Sequence, residues 1–90
     1  MPVWLPSIID VEASGFGANS YPIEIGVVRS DGARYCKLIK PLSDWLHWDK
    51  EAEALHGIRR EVLLTHGLDA VEVCHELNQF LHNEQLYSDA

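Results

Sequence analysis

Asp10 and Glu12 stand one residue apart at the end of an apolar run, Ser7-Ile8-Ile9-Asp10-Val11-Glu12. Side chains of a strand alternate between faces, so Ile8, Asp10 and Glu12 share one side while Ile9 and Val11 point into whatever covers the other. Two carboxylates brought together at a strand end repel each other unless a cation, a proton or water resolves the charge. The run then breaks into Ala13-Ser14-Gly15-Phe16-Gly17-Ala18-Asn19-Ser20, a loop of small residues whose backbone can approach a ligand closely. Paired acids beside such a loop point to a hard divalent metal and a phosphate-bearing substrate.

Other residues able to do chemistry have plainer readings. Glu24 lies between Ile23 and Ile25, where a structural hydrogen bond is expected. His56 ends a short predicted helix; a histidine favoured by the helix dipole and a ligand contact are both open readings there. His47, His66, His75 and His82 read as surface or capping histidines. Trp45 and Trp48 read as core aromatics or as a staple for a helix entry, ahead of base stacking. Cys36 and Cys74 have no metal-ligand spacing, one in a predicted strand and one on the predicted apolar face of a helix. Buried free thiols in a reducing cytosol are expected for both.

The elements that must position these residues are legible in outline. Residues 7–11 read as a buried strand, residues 23–29 as a second and residues 33–39 as a third. Ser30-Asp31-Gly32 supplies the hairpin turn between the last two. An antiparallel meander therefore opens the chain. Asp49 is placed to cap a short helix closed by Gly57, and a further short helix from Arg59 to Thr65 is expected to close at Gly67. Asp69 and Glu72 have capping-box spacing. Val71, Cys74, Leu77 and Leu81, flanked by Val73 and Phe80, predict an amphipathic helix to about residue 82. Leu86-Tyr87-Ser88 begins another strand.

Ninety residues make a single small domain, 1–90, with a feasible but thin core. The net charge of −7 argues against passive electrostatic binding to nucleic acid or to an anionic membrane. It does not exclude an enzyme acting on nucleic acid, because acids of a metal site count against that tally. The first six residues carry no basic region and no long apolar stretch, so neither a signal peptide nor a membrane span is expected. A cytoplasmic protein is the consistent reading.

The motifs together resemble a known family. The run I-I-D-V-E-A-S-G, then P-I-E-I-G at residues 22–26, then L-H-G-I at 55–58, is similar in order to the DEDD-type (DEDDh) 3′–5′ exonucleases. These enzymes have a ribonuclease H-like fold, as in the proofreading subunits of replicative polymerases. The resemblance implies that this chain is the N-terminal part of such an α/β domain. It implies a metal-dependent hydrolysis of DNA or RNA from a 3′ end, releasing nucleoside 5′-monophosphates. Asp10 and Glu12 would be two of four acids holding Mg²⁺ or Mn²⁺, with two ions roughly 3.5–4 Å apart. Ala13, Ser14, Gly15 and Phe16 would lie along the terminal nucleotide, with His56 beside it.

The chain also departs from that family. Asp89 suits the opening of the third acidic motif rather than its acid. The last motif pairs a histidine with an aspartate five residues on, and His47, His56, His66, His75 and His82 are followed at that spacing by Ala52, Glu61, Val71, Phe80 and Tyr87. The base that would activate water is absent. The resemblance makes the complete protein an enzyme, yet this chain alone is expected to be inactive. The alternative is a catalytically inactive ribonuclease H-like domain that serves as a protein-interaction module. The expected fold is a three-stranded meander, a helix near 69–82 on one face, and a short parallel strand near 86–88 on the other side of the first. Such a sheet leaves an edge and an apolar face open, which predicts self-association into a homo-oligomer.

Overall fold

The computed structural model describes residues 6–82 and the backbone of residues 86–88. Met1–Leu5, part of the stretch read for a signal peptide, and Asp89, read as opening a motif, lie outside the described residues. The chain runs β1 (Ser7–Ala13), β2 (Pro22–Val28), β3 (Arg34–Lys40), α1 (Lys50–His56), α2 (Arg60–His66), β4 (Leu68–Asp69), α3 (Ala70–Phe80) and β5 (Leu86–Ser88). The sheet order is β4-β3-β2-β1-β5. As the sequence predicts, β1, β2 and β3 form an antiparallel meander, and β5 lies parallel to β1 on its far side, pairing Ser7 with Leu86.

The hairpin between β2 and β3 closes where the glycine stands. Gly32 takes a φ of 89°, which a side chain would oppose. Arg29 N–H bonds to the Ala33 carbonyl at 2.8 Å, and the Asp31 carboxylate accepts from Ala33 N–H at 3.0 Å. The Arg29 guanidinium also grips Asp31, holding its carboxyl down at about 2.

One face of the sheet is covered and the other is open. Ile9, Val27 and Tyr35 occupy one cross-strand row. With Ile25 and Ile39 they pack under α3, which contributes Val73, Leu77 and Phe80. The helix sits in a different phase from the expected one. Its buried stripe is Ala70, Val73, Leu77, Phe80 and Leu81, whereas Val71 is 64% exposed and Cys74 faces solvent. Val71 and Cys74 lie three apart just as Ala70 and Val73 do, and contact with Tyr35 and Ile39 selects the stripe starting at Ala70.

Both thiols are exposed, contrary to the expectation of burial; Cys36 lies on the open face of β3. Val11 does not enter the core either. It is 46% exposed, beside the cavity described below.

A second cluster fills the space beyond β2 and β3. Tyr21, Ile23 and Leu63 are buried there, with Leu38, Trp45, Trp48 and Ile58 against them. Tyr21 stacks on Trp45 at 5.3 Å, and Arg60 reaches both the Tyr21 hydroxyl and the Trp45 carbonyl. The tryptophans are thus core aromatics, as read from the sequence.

The caps are part as expected and part not. Asp49 accepts from Glu51 and Ala52 N–H, and Gly57 closes α1 at a φ of 73°. Gly67 closes α2 at a φ of −69°, so handedness is not why it is glycine. A Cβ there would come within 2.4 Å of the Leu63 carbonyl and 2.5 Å of Lys40 N. Close passage against β3 requires the missing side chain. Asp69 makes no capping bond to α3, because it is drawn into β4 opposite Lys40.

Candidate functional site

The acid-bearing strand β1 ends at a turn that is tied down by three hydrogen bonds. Ser14 N–H bonds to the Tyr21 carbonyl at 3.0 Å, and Tyr21 N–H returns to Ser14 Oγ at 3.1 Å. Asp49 N–H bonds to the Ser14 carbonyl at 3.0 Å. Ser14 is fully buried, so its hydroxyl holds the turn instead of facing a ligand. The same bond joins the turn to the residue that caps α1. The start of that helix is thereby fixed relative to the end of β1.

The result is an open cavity of about 210 Å³ between the two elements. Glu12, Ala13, Gly15 and Phe16 line it from the strand and loop, and Leu55 and His56 from α1. Val11 and Ala52 complete the lining. Five of the residues singled out in the sequence, Glu12, Ala13, Gly15, Phe16 and His56, therefore meet around one space. Phe16 is 66% exposed and Leu55 79%, two uncovered apolar side chains beside a carboxylate.

His56 is held in a defined tautomer. Ile58 N–H donates to its Nδ1 at 3.0 Å, so the neutral ring carries its proton on Nε2. That Nε2 is buried without a partner among the described residues. Trp48 meets the ring edge-on at 5.7 Å and is itself fixed by donating to Glu53. A buried donor without an acceptor carries a cost unless something else supplies one.

Asp10 and Glu12 lie on one face of β1 but border different concavities. Asp10 is exposed and opens onto a space of about 250 Å³ over the bare face, with Ile8, Gly26, Val28 and Cys36. Glu12 is half-buried, beside His56's cavity. The register adds an acid that the sequence reading assigned only to a structural bond. Glu24 is the direct cross-strand partner of Glu12, so three carboxylates share this face. Like charges directly opposite one another are unfavourable, and a cation relieves them. Strand parity alone would have revealed Glu24, had the pairing register been known.

The donor set suits a hard cation such as Mg²⁺, which takes oxygen ligands and keeps several waters. No three His, Cys, Asp or Glu side chains among the described residues come close enough to share an ion. His66, His75 and His82 lie exposed, as expected of surface histidines. His47 is half-buried and stands at the site: its Nδ1 is 3.5 Å from Ser14 Oγ and its ring lies against Gly15. A Cβ on Gly15 would meet His47 Cε1 at 2.3 Å. Among the described residues, no helix is long and apolar enough to cross a membrane.

No protein-family model and no curated protein matches the chain. Solved structures do. Exonuclease I from the moderately thermophilic Methylocaldum szegediense aligns with a TM-score of 0.74 at 19% identity, over 93% of this chain and 20% of that one. Escherichia coli exonuclease I in complex with a dT13 oligonucleotide aligns at 0.70 and 14% identity, again over 93% of this chain and 20% of that one. The cell-death related nuclease CRN-4 aligns at 0.64 and 19% identity, over 93% of this chain and 34% of that one. The chain spans about a fifth of the exonuclease I length it matches. The mixed sheet and its helices have the fold of the N-terminal part of a ribonuclease H-like exonuclease domain.

Proposed function

We propose that this chain is the first part of a metal-dependent 3′–5′ exonuclease domain, hydrolysing nucleic acid to nucleoside 5′-monophosphates. The observation that carries the reading is the convergence of Glu12, Ala13, Gly15, Phe16 and His56 on one cavity at the end of the acid-bearing strand. The fold shared with exonuclease I supports it, and that protein has been seen with dT13 and dA16 oligonucleotides.

Each residue has a distinct task in this reading. Phe16 and Leu55 present apolar surface to the terminal base. The turn at Ala13–Gly15 brings backbone to the sugar, and the Nε2–H of His56 offers the hydrogen bond it lacks. Asp10 and Glu12 would hold Mg²⁺ or Mn²⁺, which when bound supplies charge stabilisation for phosphoryl transfer and an activated water. A complete two-metal centre needs further ligands and a base, so no hydrolysis is expected from this chain alone. Two free thiols fit a reducing cytoplasm. Ile8 at 46% and Val28 at 39% exposure on the bare face support self-association. Sedimentation at micromolar concentration should then give a species heavier than the monomer, and a clean monomer would count against it.

Calorimetric titration with Mn²⁺ tests the metal reading directly. Asp10 is exposed, so Asp10→Asn should fold normally while binding at least roughly tenfold more weakly, about 1.4 kcal/mol. Equal binding by the two proteins would refute the assignment of Asp10.

A further inference from the structure

Beyond the Ser14–Gly15 turn lies a second, larger hollow that the proposed site does not use. It measures about 430 Å³ and is lined by Asn19, Asp44, Trp45, Leu46 and His47. Its walls are the 15–20 loop and the segment between β3 and α1. His47 stands between the two hollows: it lines this one, and its ring rests against Gly15, which lines the cavity of Glu12 and His56. The two hollows therefore adjoin the same His47–Gly15 contact.

The lining defines what it can take. Asp44 and Asn19 are exposed, and neither side chain is engaged in a hydrogen bond or ion pair among the described residues. Leu46 is 72% exposed, an apolar plate beside these polar groups. No lysine or arginine lines the hollow, and Asp44 would repel a phosphate. The edge that suits a lone carboxylate carries adjacent N–H donors, which it can accept with both oxygens. An unpaired guanine offers N1–H and N2–H side by side, with O6 next to them for the Asn19 amide. Adenine places an acceptor, N1, where the carboxylate needs a donor. Unpaired bases expose this edge freely.

We propose that this hollow is a base-reading subsite that takes an unpaired guanine from the strand whose end occupies the first cavity. The proposal rests on the nucleic-acid reading given above. Asp44 supplies the preference for guanine, and Leu46 supplies contact that any base can use.

The test is an amide-resolved ¹⁵N NMR titration of the chain, with Mg²⁺ present, using the tetranucleotides d(TTGT) and d(TTAT). Signals of Asn19 and of residues 44–47 should move together with those of Ala13, Phe16 and His56. The guanine-containing strand should bind at least roughly fivefold more tightly, because a charged acceptor strengthens its hydrogen bonds. Asp44→Asn should abolish that preference, while Leu46→Ala should weaken both strands alike. Movement confined to Ala13, Phe16 and His56 would overturn the subsite and leave the nuclease reading standing. Movement at residues 44–47 without a preference for guanine would also overturn it. Guanine-dependent movement there with the first cavity silent would overturn the shared-strand proposal and count against the nuclease reading. No movement at either place would overturn both.

Discussion

Gly15 has no room for a side chain. The obstacle is His47 Cε1, 2.3 Å from where a Cβ would sit, with Asp49 Cβ at 3.1 Å. Overpacking of this kind typically costs about 1–3 kcal/mol. Gly15→Ala should therefore lower the unfolding free energy measured in urea by that amount, and adding His47→Ala should restore most of it, because the ring is the nearest obstacle. An unchanged midpoint for the single variant would show that the 42–48 segment yields freely. The sequence marked Gly15 through its small-residue loop, but it could not identify His47 as the neighbour. Nor could it separate Ser14 from Phe16: one is buried on Tyr21 N–H and the other is 66% exposed. That division comes from a contact seven residues along the chain.

At the scale of elements, α1 shows how a short helix becomes a precise support. Seven residues do not hold a helix alone in water. Its ends are closed by Asp49 and Gly57, and its start is bonded to Ser14. Asp49→Ala should cost about 1 kcal/mol in chemical denaturation. Because Leu55 and His56 sit on this helix, their amide NMR signals should shift in the same variant although neither is touched. Asp49 as a cap was legible, since the residue type and the following Lys50-Glu51-Ala52 run carry the signal. The phase of α3 was not. Val71 and Cys74 fit an apolar stripe as well as Ala70 and Val73 do, and only the surface of β2 and β3 chooses between them.

Across the whole molecule, Tyr35 of β3 joins the sheet to α3 by donating to Glu76 at 3.0 Å. Desolvation, followed by that carboxylate, pushes the phenol from 10.0 up to about 12. The folded protein therefore keeps a proton that the unfolded chain releases first. This contribution to stability is complete below pH 10 and is lost as pH rises towards 12. Denaturation midpoints measured across that window should fall for the wild type, and Tyr35→Phe should flatten the decline. The same slope in both would place the alkaline sensitivity elsewhere. The parallel return of β5 was implied by the family resemblance, while the sequence by itself determined the meander, the hairpin at Gly32 and the acid pair at the end of β1. These rest on period-two alternation, turn residues and caps, which act over a few positions. Tertiary structure decided which faces are covered, that Glu24 stands opposite Glu12, and that His56 and Phe16 border one cavity. Those outcomes depend on pairing register and on packing between residues distant in the chain, which local pattern does not encode.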